Sequence, residues 1–406
     1  MKKRAFAVCT LALFASFALS VLMTISGGGI AGAAEKKLLF VNTTPLSGAF
    51  AEYGKSASMG AQLAVKETSK VLGREVDLVT IDTESNPGKA ARKIQEVIEQ
   101  KNARFFSGAC LSSEALAIGK EVNKAGGVFL TPVGADEVTG AECNKSTFRW
   151  SVPTHGAIEQ TVRPLAKKMP NAKRWYTITP QYVFGDALLS NAKKVFADMG
   201  ITHVGNSYHS LKETEFSGYL AEAMAAKPDV LLLLNFGNQS SATLRQAMSF
   251  GMKNKMTILV AWSSGLDQFR SLGSEITEGV YWGAQYWHTV NNPENKAFVA
   301  LTKKHFSTNP TYPLAADYIE TKLILNAISA ANTDDPAKVI SRLEGLKYKG
   351  LTGDEEIRAF DHQVIKDYYL LLGKKKSGMK DGDDFVDIVS SGKSFVSQKD
   401  SACKMK

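Results

Sequence analysis

Ser112 and Ser113 stand side by side where an apolar strand gives way to a helix, and two hydroxyls at that place have two uses. They can cap the helix by accepting from its first backbone N–H groups, or they can join those N–H groups in receiving an anion. The surroundings favour an anion seat. Phe105-Phe106 ends a strand, Gly108 permits a tight turn, and Leu111-Ser112-Ser113 opens a helix running to about Lys124. Glu114 suits the positive end of that helix, and Gly126-Gly127 provides its left-handed exit. A second strand, Val128-Phe129-Leu130, then runs into the turn Thr131-Pro132-Val133-Gly134-Ala135. Free backbone groups are thereby expected at the carboxyl edge of a parallel sheet, where open α/β sheets take their ligands. A carboxylate fits such a place. A second set of residues recurs just after strand ends: Tyr53, Tyr182 with Phe184, Phe236, and Trp262 with Ser263 and Ser264. Each ring alone reads as core packing, but their recurrence at equivalent positions predicts an aromatic box facing one cleft.

Catalytic and metal chemistry has no comparable signal. The six histidines are scattered without ligand spacing, and there is no H-E-x-x-H, no phosphate-binding loop and no paired-cysteine motif, so neither metal nor cofactor is expected. Gly27-Gly28-Gly29-Ile30-Ala31-Gly32 fits G-x-G-x-x-G in form, but it follows an apolar leader core rather than a strand. Ser112 and Ser113 lack the elbow motif of a nucleophilic serine. Binding without turnover is the expected activity.

The elements that must position these residues alternate regularly. Leu38 to Val41 reads as a strand ended by Thr43-Thr44-Pro45 and Ser47-Gly48, and Tyr53-Gly54 leads a helix that Gly73 breaks. Val76 to Ile81 alternates as a strand, and Lys89 to Lys101 places Ile94, Val97 and Ile98 on one helical face. The pattern pauses at Trp150 to Pro153 and then restarts. Strands follow at Trp175 to Thr179, His203 to Val204, Val230 to Leu234 and Ile258 to Val260, separated by helices ending at Met199, spanning Phe216 to Ala226 and starting at Ser241. An aromatic-rich strand lies within Gly279 to Trp287, with helices at about Ala315 to Ala331 and Pro336 to Glu344. Strands alternating with helices of this length predict two α/β lobes with parallel central sheets.

With 406 residues, 44% of them hydrophobic and 22% charged, the chain can bury ample core. Lys2-Lys3-Arg4, an apolar run from Ala5 to Ile25 and the small residues Ala31 to Ala34 form a secretory signal peptide over residues 1–34, with cleavage expected after Ala33 or Ala34. Its removal leaves 46 basic against 40 acidic residues, a net charge of +6. The lysines are dispersed and no basic stripe is interleaved with aromatics, which argues against nucleic acid. In an oxidising compartment Cys110, Cys143 and Cys403 allow one bridge. Cys143, after a loop, and Cys403, near the C-terminus, are the expected pair, with Cys110 left as a thiol.

The order and spacing of five segments carry a resemblance. They are Pro45-Leu46-Ser47-Gly48 with Tyr53-Gly54, Leu111-Ser112-Ser113, Thr131 to Ala135, Tyr182-Val183-Phe184-Gly185-Asp186, and Leu244-Arg245-Gln246-Ala247. Over nearly the whole mature sequence the chain resembles the type I periplasmic solute-binding proteins of ABC importers, in the leucine/isoleucine/valine-binding group. The resemblance implies two Rossmann-like lobes joined by a hinge, 35–154 plus 287–363 and 155–286 plus 364–406, closing on a small ligand like a flytrap. It implies a monomer in the periplasm that delivers its ligand to a permease and ATPase complex in the inner membrane. It places the ligand's carboxylate on Ser112, Ser113 and the turn from Val133 to Ala135, and side-chain contacts on Tyr53, Phe184 and Phe236.

One departure bears on specificity. Counting back from Glu278-Gly279, Trp262 stands where amino-acid binders of the family carry a glutamate for the ligand's ammonium. A buried ammonium without an anion costs at least several kcal/mol, so the expected ligand is an aromatic carboxylic acid, with branched-chain or other apolar amino acids as the alternative. Glu213, Glu215 and Asp136 are the residues that would restore an ammonium partner by approaching the cleft. The family cystine also departs, because Ser85 occupies the place of the partner of Cys110. A sensor ectodomain would require an anchor or signalling module, and an enzyme of similar form a cofactor motif; neither is read in the chain.

Overall fold

The computed structural model describes residues 37–405, so the expected leader lies outside the described residues. The first lobe is built on six strands: Leu38–Thr44 (β1), Lys70–Val71 (β2), Arg74–Asp82 (β3), Phe105–Gly108 (β4), Val128–Thr131 (β5) and Thr147–Arg149 (β6). Their order in the sheet is β2-β3-β1-β4-β5-β6, and all pairs except β2 with β3 are parallel. β4 and β5 are buried throughout, which is why they read as continuous apolar runs rather than alternating ones. The second lobe contributes Arg174–Pro180 (β7), Thr202–His209 (β8), Val230–Leu233 (β9), Thr257–Val260 (β10) and Tyr281–Ala284 (β11). A small antiparallel sheet of Lys347–Gly350 (β12), Gly353–Ile357 (β13) and Val364–Ile365 (β14) precedes Tyr368–Gly373 (β15) and Val386–Gly392 (β16). The second large sheet has the order β16-β15-β11-β10-β9-β7-β8, with β15 and β16 antiparallel additions to a parallel core.

The chain passes between the lobes at Ser151-Val152, at Gln285-Tyr286 and at Lys366-Asp367, and a few side chains lace these passages together. The Gln285 side chain accepts from Val152 N at 2.9 Å and donates to Val152 O at 2.8 Å. Buried Lys366 donates to Gln285 O at 2.6 Å and lies 4.2 Å from the centre of the Trp150 ring. Burial pulls its ammonium down to about 7.

The C-terminal stretch expected with the second lobe divides instead. β14 pairs with β13, β15 and β16 join the second sheet, and the tail then returns to the first lobe. There Arg358 donates to Val396 O at 2.8 Å, and Cys403 is disulfide-bonded to Cys143 with Cα atoms 5.6 Å apart. Cys110 is a free thiol. No helix among the described residues is long and apolar enough to cross a membrane.

Candidate functional site

Seven of the side chains singled out in the sequence line one cavity between the lobes: Tyr53, Ser112, Val133, Tyr182, Phe184, Phe236 and Trp262. Most of them follow the carboxyl ends of strands, as the alternating topology requires. Ser112 opens the helix Ser112–Lys124 after β4, and Val133 follows β5. Phe184 lies in the first turn of the helix Val183–Met199 after β7, and Phe236 and Trp262 follow β9 and β10. Tyr53 comes from the first turn of the helix Ala51–Thr68.

The capping role open to the serines is not the one Ser112 takes. The residue before the helix is Leu111, and its N–H donates at 2.9 Å to the carboxylate of Glu114. The Ser112 hydroxyl instead accepts from Ala135 N–H at 3.1 Å, across from the turn after β5. That bond uses one of the oxygen's two lone pairs, and the hydroxyl hydrogen, donated to no group among the described residues, remains for a ligand. The N–H groups of Val133 and Gly134 have no acceptor among the described residues. Ser113 is half-buried and Ala135 fully buried, and neither lines the cavity. The Ala135 N–H is spent on Ser112, so the turn faces the cavity through Val133 and Gly134.

The opposite wall is aromatic. Phe184 meets Trp262 edge-on with centroids 5.2 Å apart and Phe236 at 6.4 Å, while Tyr53 lies 5.9 Å from Phe236 and 6.2 Å from Tyr312. Gly134 is the residue that lets these rings approach the turn: a Cβ there would lie 2.6 Å from Phe184 Cε2 and 2.7 Å from Trp262 Cη2. The rings nearly fill the space, leaving about 10 Å³ for the centre of a water molecule, room for about one. An aromatic ligand therefore enters only when lobes or rings move apart.

Every polar group lining the cavity is neutral. Burial pushes the hydroxyls of Tyr53, Tyr182 and Tyr312 well above the usual tyrosine range, and pushes the Cys110 thiol up as well. No acid lines the cavity: Glu213 binds backbone N–H groups of its own loop, and Asp136 is engaged with His155 N and Asn191. Behind the first-lobe wall two carboxyls face β4 from the helix Tyr312–Ala331. Asp317 accepts from Asn42, and burial raises it to about 7; Glu320 accepts from Gly108 N at 3.3 Å and is held well above the usual carboxyl range by burial and by Asp317. Through Tyr53 and Phe236 the cavity adjoins a wider one of about 300 Å³, whose lining includes Glu52 and Asp267.

Tyr312 was not anticipated. It donates to Pro132 O at 2.5 Å and meets the Ser151 hydroxyl at 2.8 Å, tying the turn to the first passage between lobes. The signal was available: Thr311 caps the helix by accepting from Leu314 N and Pro313 sits in its first turn, so Tyr312 opens a helix much as Tyr53 does.

An interlobe cavity of this build invites comparison with known proteins, and the model of the periplasmic binding protein family matches residues 42–378. The chain belongs to that family. This periplasmic binding protein is of type I, in the leucine/isoleucine/valine group, and is the substrate-binding component of an ABC transporter. It is similar to the crystal structure of an amino acid ABC transporter substrate-binding protein from Pseudomonas fluorescens Pf-5, at 59% identity and a TM-score of 0.89, covering 91% of this chain and all of that one. It is 21% identical over 359 residues to the leucine-, isoleucine-, valine-, threonine- and alanine-binding protein of Pseudomonas aeruginosa, covering 85% of this chain and 93% of the relative. The fold is also that of a solute-binding protein from Rhodopseudomonas palustris solved with benzoate, at 21% identity and a TM-score of 0.80, covering 91% of this chain and all of that one.

Proposed function

We propose that this binding protein captures a small aromatic carboxylic acid. After loss of its leader it acts as a periplasmic monomer, closing on the acid by hinge motion at the three laced passages and presenting it to a permease and ATPase complex in the inner membrane. The lobes are 35–154 plus 287–365 and 155–286 plus 366–392, with the tail beyond β16 folded back on the first. The observation that carries the reading is the pairing of Ser112 and the Val133–Gly134 backbone on one wall with the rings of Phe184, Phe236 and Trp262 on the other, with no acid among the lining residues. A carboxylate finds donors there and a ring finds ring faces, each aromatic pair adding about 1 kcal/mol beyond area burial. An α-ammonium finds no anion, at a cost of several kcal/mol. The benzoate complex of the Rhodopseudomonas palustris protein supports the same ligand class on the same fold.

An amino acid is the competing reading. The Pseudomonas fluorescens relative is described as an amino acid ABC transporter component, and Asp267 and Glu52 lie one cavity away. Calorimetric titration of phenylalanine against 3-phenylpropionate decides between them, since the two share ring and carboxylate and differ in the ammonium. The acid should bind at least about a hundredfold more tightly, corresponding to ~3 kcal/mol. Equal or tighter binding of phenylalanine returns the protein to the amino-acid binders.

A further inference from the structure

We infer that Arg149 is a positioning residue for the anion seat, its charge reaching the cleft through the peptide unit between Gly134 and Ala135. This rests on the carboxylate reading above. Arg149 ends β6 and is 1% exposed. Its guanidinium lies beneath the turn after β5, where Nη1 donates to the carbonyls of Gly134, at 3.3 Å, and Ala135. Nε donates to Gln363 Oε1 at 2.6 Å, and Nη2 to the Thr139 hydroxyl. All four acceptors are neutral, and no carboxylate among the described residues lies within ion-pair distance of it. Three acids surround it without pairing to it: Asp136 accepts from His155 N and Asn191, Asp361 is paired with Arg358, and Glu137 stays beyond ion-pair distance with one carboxyl oxygen unpartnered.

Burying a guanidinium without an ion-pair partner is costly, and a neutral amide could hold two carbonyls with less desolvation. What the charge adds is direction. The Gly134 carbonyl accepts from Arg149, the N–H of the same peptide donates to Ser112 Oγ at 3.1 Å, and the Ser112 hydroxyl lines the cavity. Three donors therefore point the same way in sequence, guanidinium to peptide to hydroxyl, and each bond polarises the next. A positive charge held in the interior of the first lobe thus strengthens the donor that meets the ligand, while the cavity lining stays neutral.

The test compares the acid that wild-type protein binds most tightly among benzoate, 3-phenylpropionate and leucine with its carboxamide. Arg149→Gln should lower the acid-over-amide affinity ratio about tenfold or more, while Arg149→Lys, which keeps the charge, should hold it within about threefold. Thr139→Asp leaves the arginine in place, sets a carboxylate beside Nη2 at the wall of a surface cavity, and should lower the ratio in the same direction. It keeps the question open to measurement if Arg149→Gln does not fold, as judged by thermal denaturation. An unchanged ratio in the folded neutralised variants, with acid and amide weakened alike or not at all, refutes the role of Arg149 and leaves the carboxylate reading standing. A wild-type protein that binds acid and amide equally refutes both.

Discussion

Across the cleft, the first lobe presents Ser112 and the backbone of Val133 and Gly134 beside the rings of Tyr53 and Tyr312, whereas the second presents rings throughout, those of Tyr182, Phe184, Phe236 and Trp262. The first wall is fixed by hydrogen bonds on every side: Thr131 donates to Gly108 O, Tyr312 to Pro132 O, and Ala135 to Ser112. The second is fixed by ring packing, which has softer directionality and tolerates rotation. A charge needs donors held in place, because a donor out of position leaves the charge unsolvated; a ring needs only complementary surface. Under the proposed function the first lobe takes the carboxylate and the second the ring, so an aromatic acid bridges both lobes.

The largest expected effect comes from putting charge on the wrong wall. Trp262→Glu supplies an anion where the ring now stands and should move the preference between 3-phenylpropionate and phenylalanine toward the amino acid by about a hundredfold, read by calorimetry. If the preference does not move, the second wall does not face the ligand's amine position and the contrast fails. Ser112→Ala should weaken acid binding by about tenfold to a hundredfold, the range of one hydrogen bond to a charged group, and weaken the carboxamide less. Equal losses would place Ser112 outside the charge-reading wall. The smallest effect concerns what lies behind that wall. Asp317 is raised to about 7 by burial, so the folded protein holds a proton there that the unfolded chain releases above its ordinary carboxyl range. Its stabilising contribution is full below about pH 4 and is lost as pH rises through 7. Asp317→Asn should therefore raise stability by about 1–3 kcal/mol at pH 8 and change little at pH 4, checked by denaturant melts at both values.

Much of this was legible because the signals are local. Strands such as β4 and β5 are short apolar runs bounded by glycine, and the parallel topology then fixes which loops share an edge. Hence Tyr53, Ser112, Val133, Phe184, Phe236 and Trp262 could be drawn together from order alone. What was not legible depends on contacts distant in sequence. Ser112 reads equally as a helix cap until Ala135, 23 residues on, is seen to occupy its oxygen. β6, β12 to β14 and the antiparallel β15 and β16 carry no alternating helix to announce them, so these strands went unread, and only the pairing of Cys143 with Cys403 announced that the tail returns to the first lobe. The closeness of the rings around Gly134 is likewise a matter of packing that no spacing encodes.

The bridge from Cys143 to Cys403 spans 260 residues, from the first lobe across the whole second lobe to the tail. It closes that stretch of chain into a covalent ring. A protease that cuts one peptide bond anywhere inside the ring, in an exposed loop of either lobe, leaves both fragments joined through sulfur. The nicked molecule keeps its three laced passages and its cavity walls as a single particle, and comes apart only if the bridge is reduced as well.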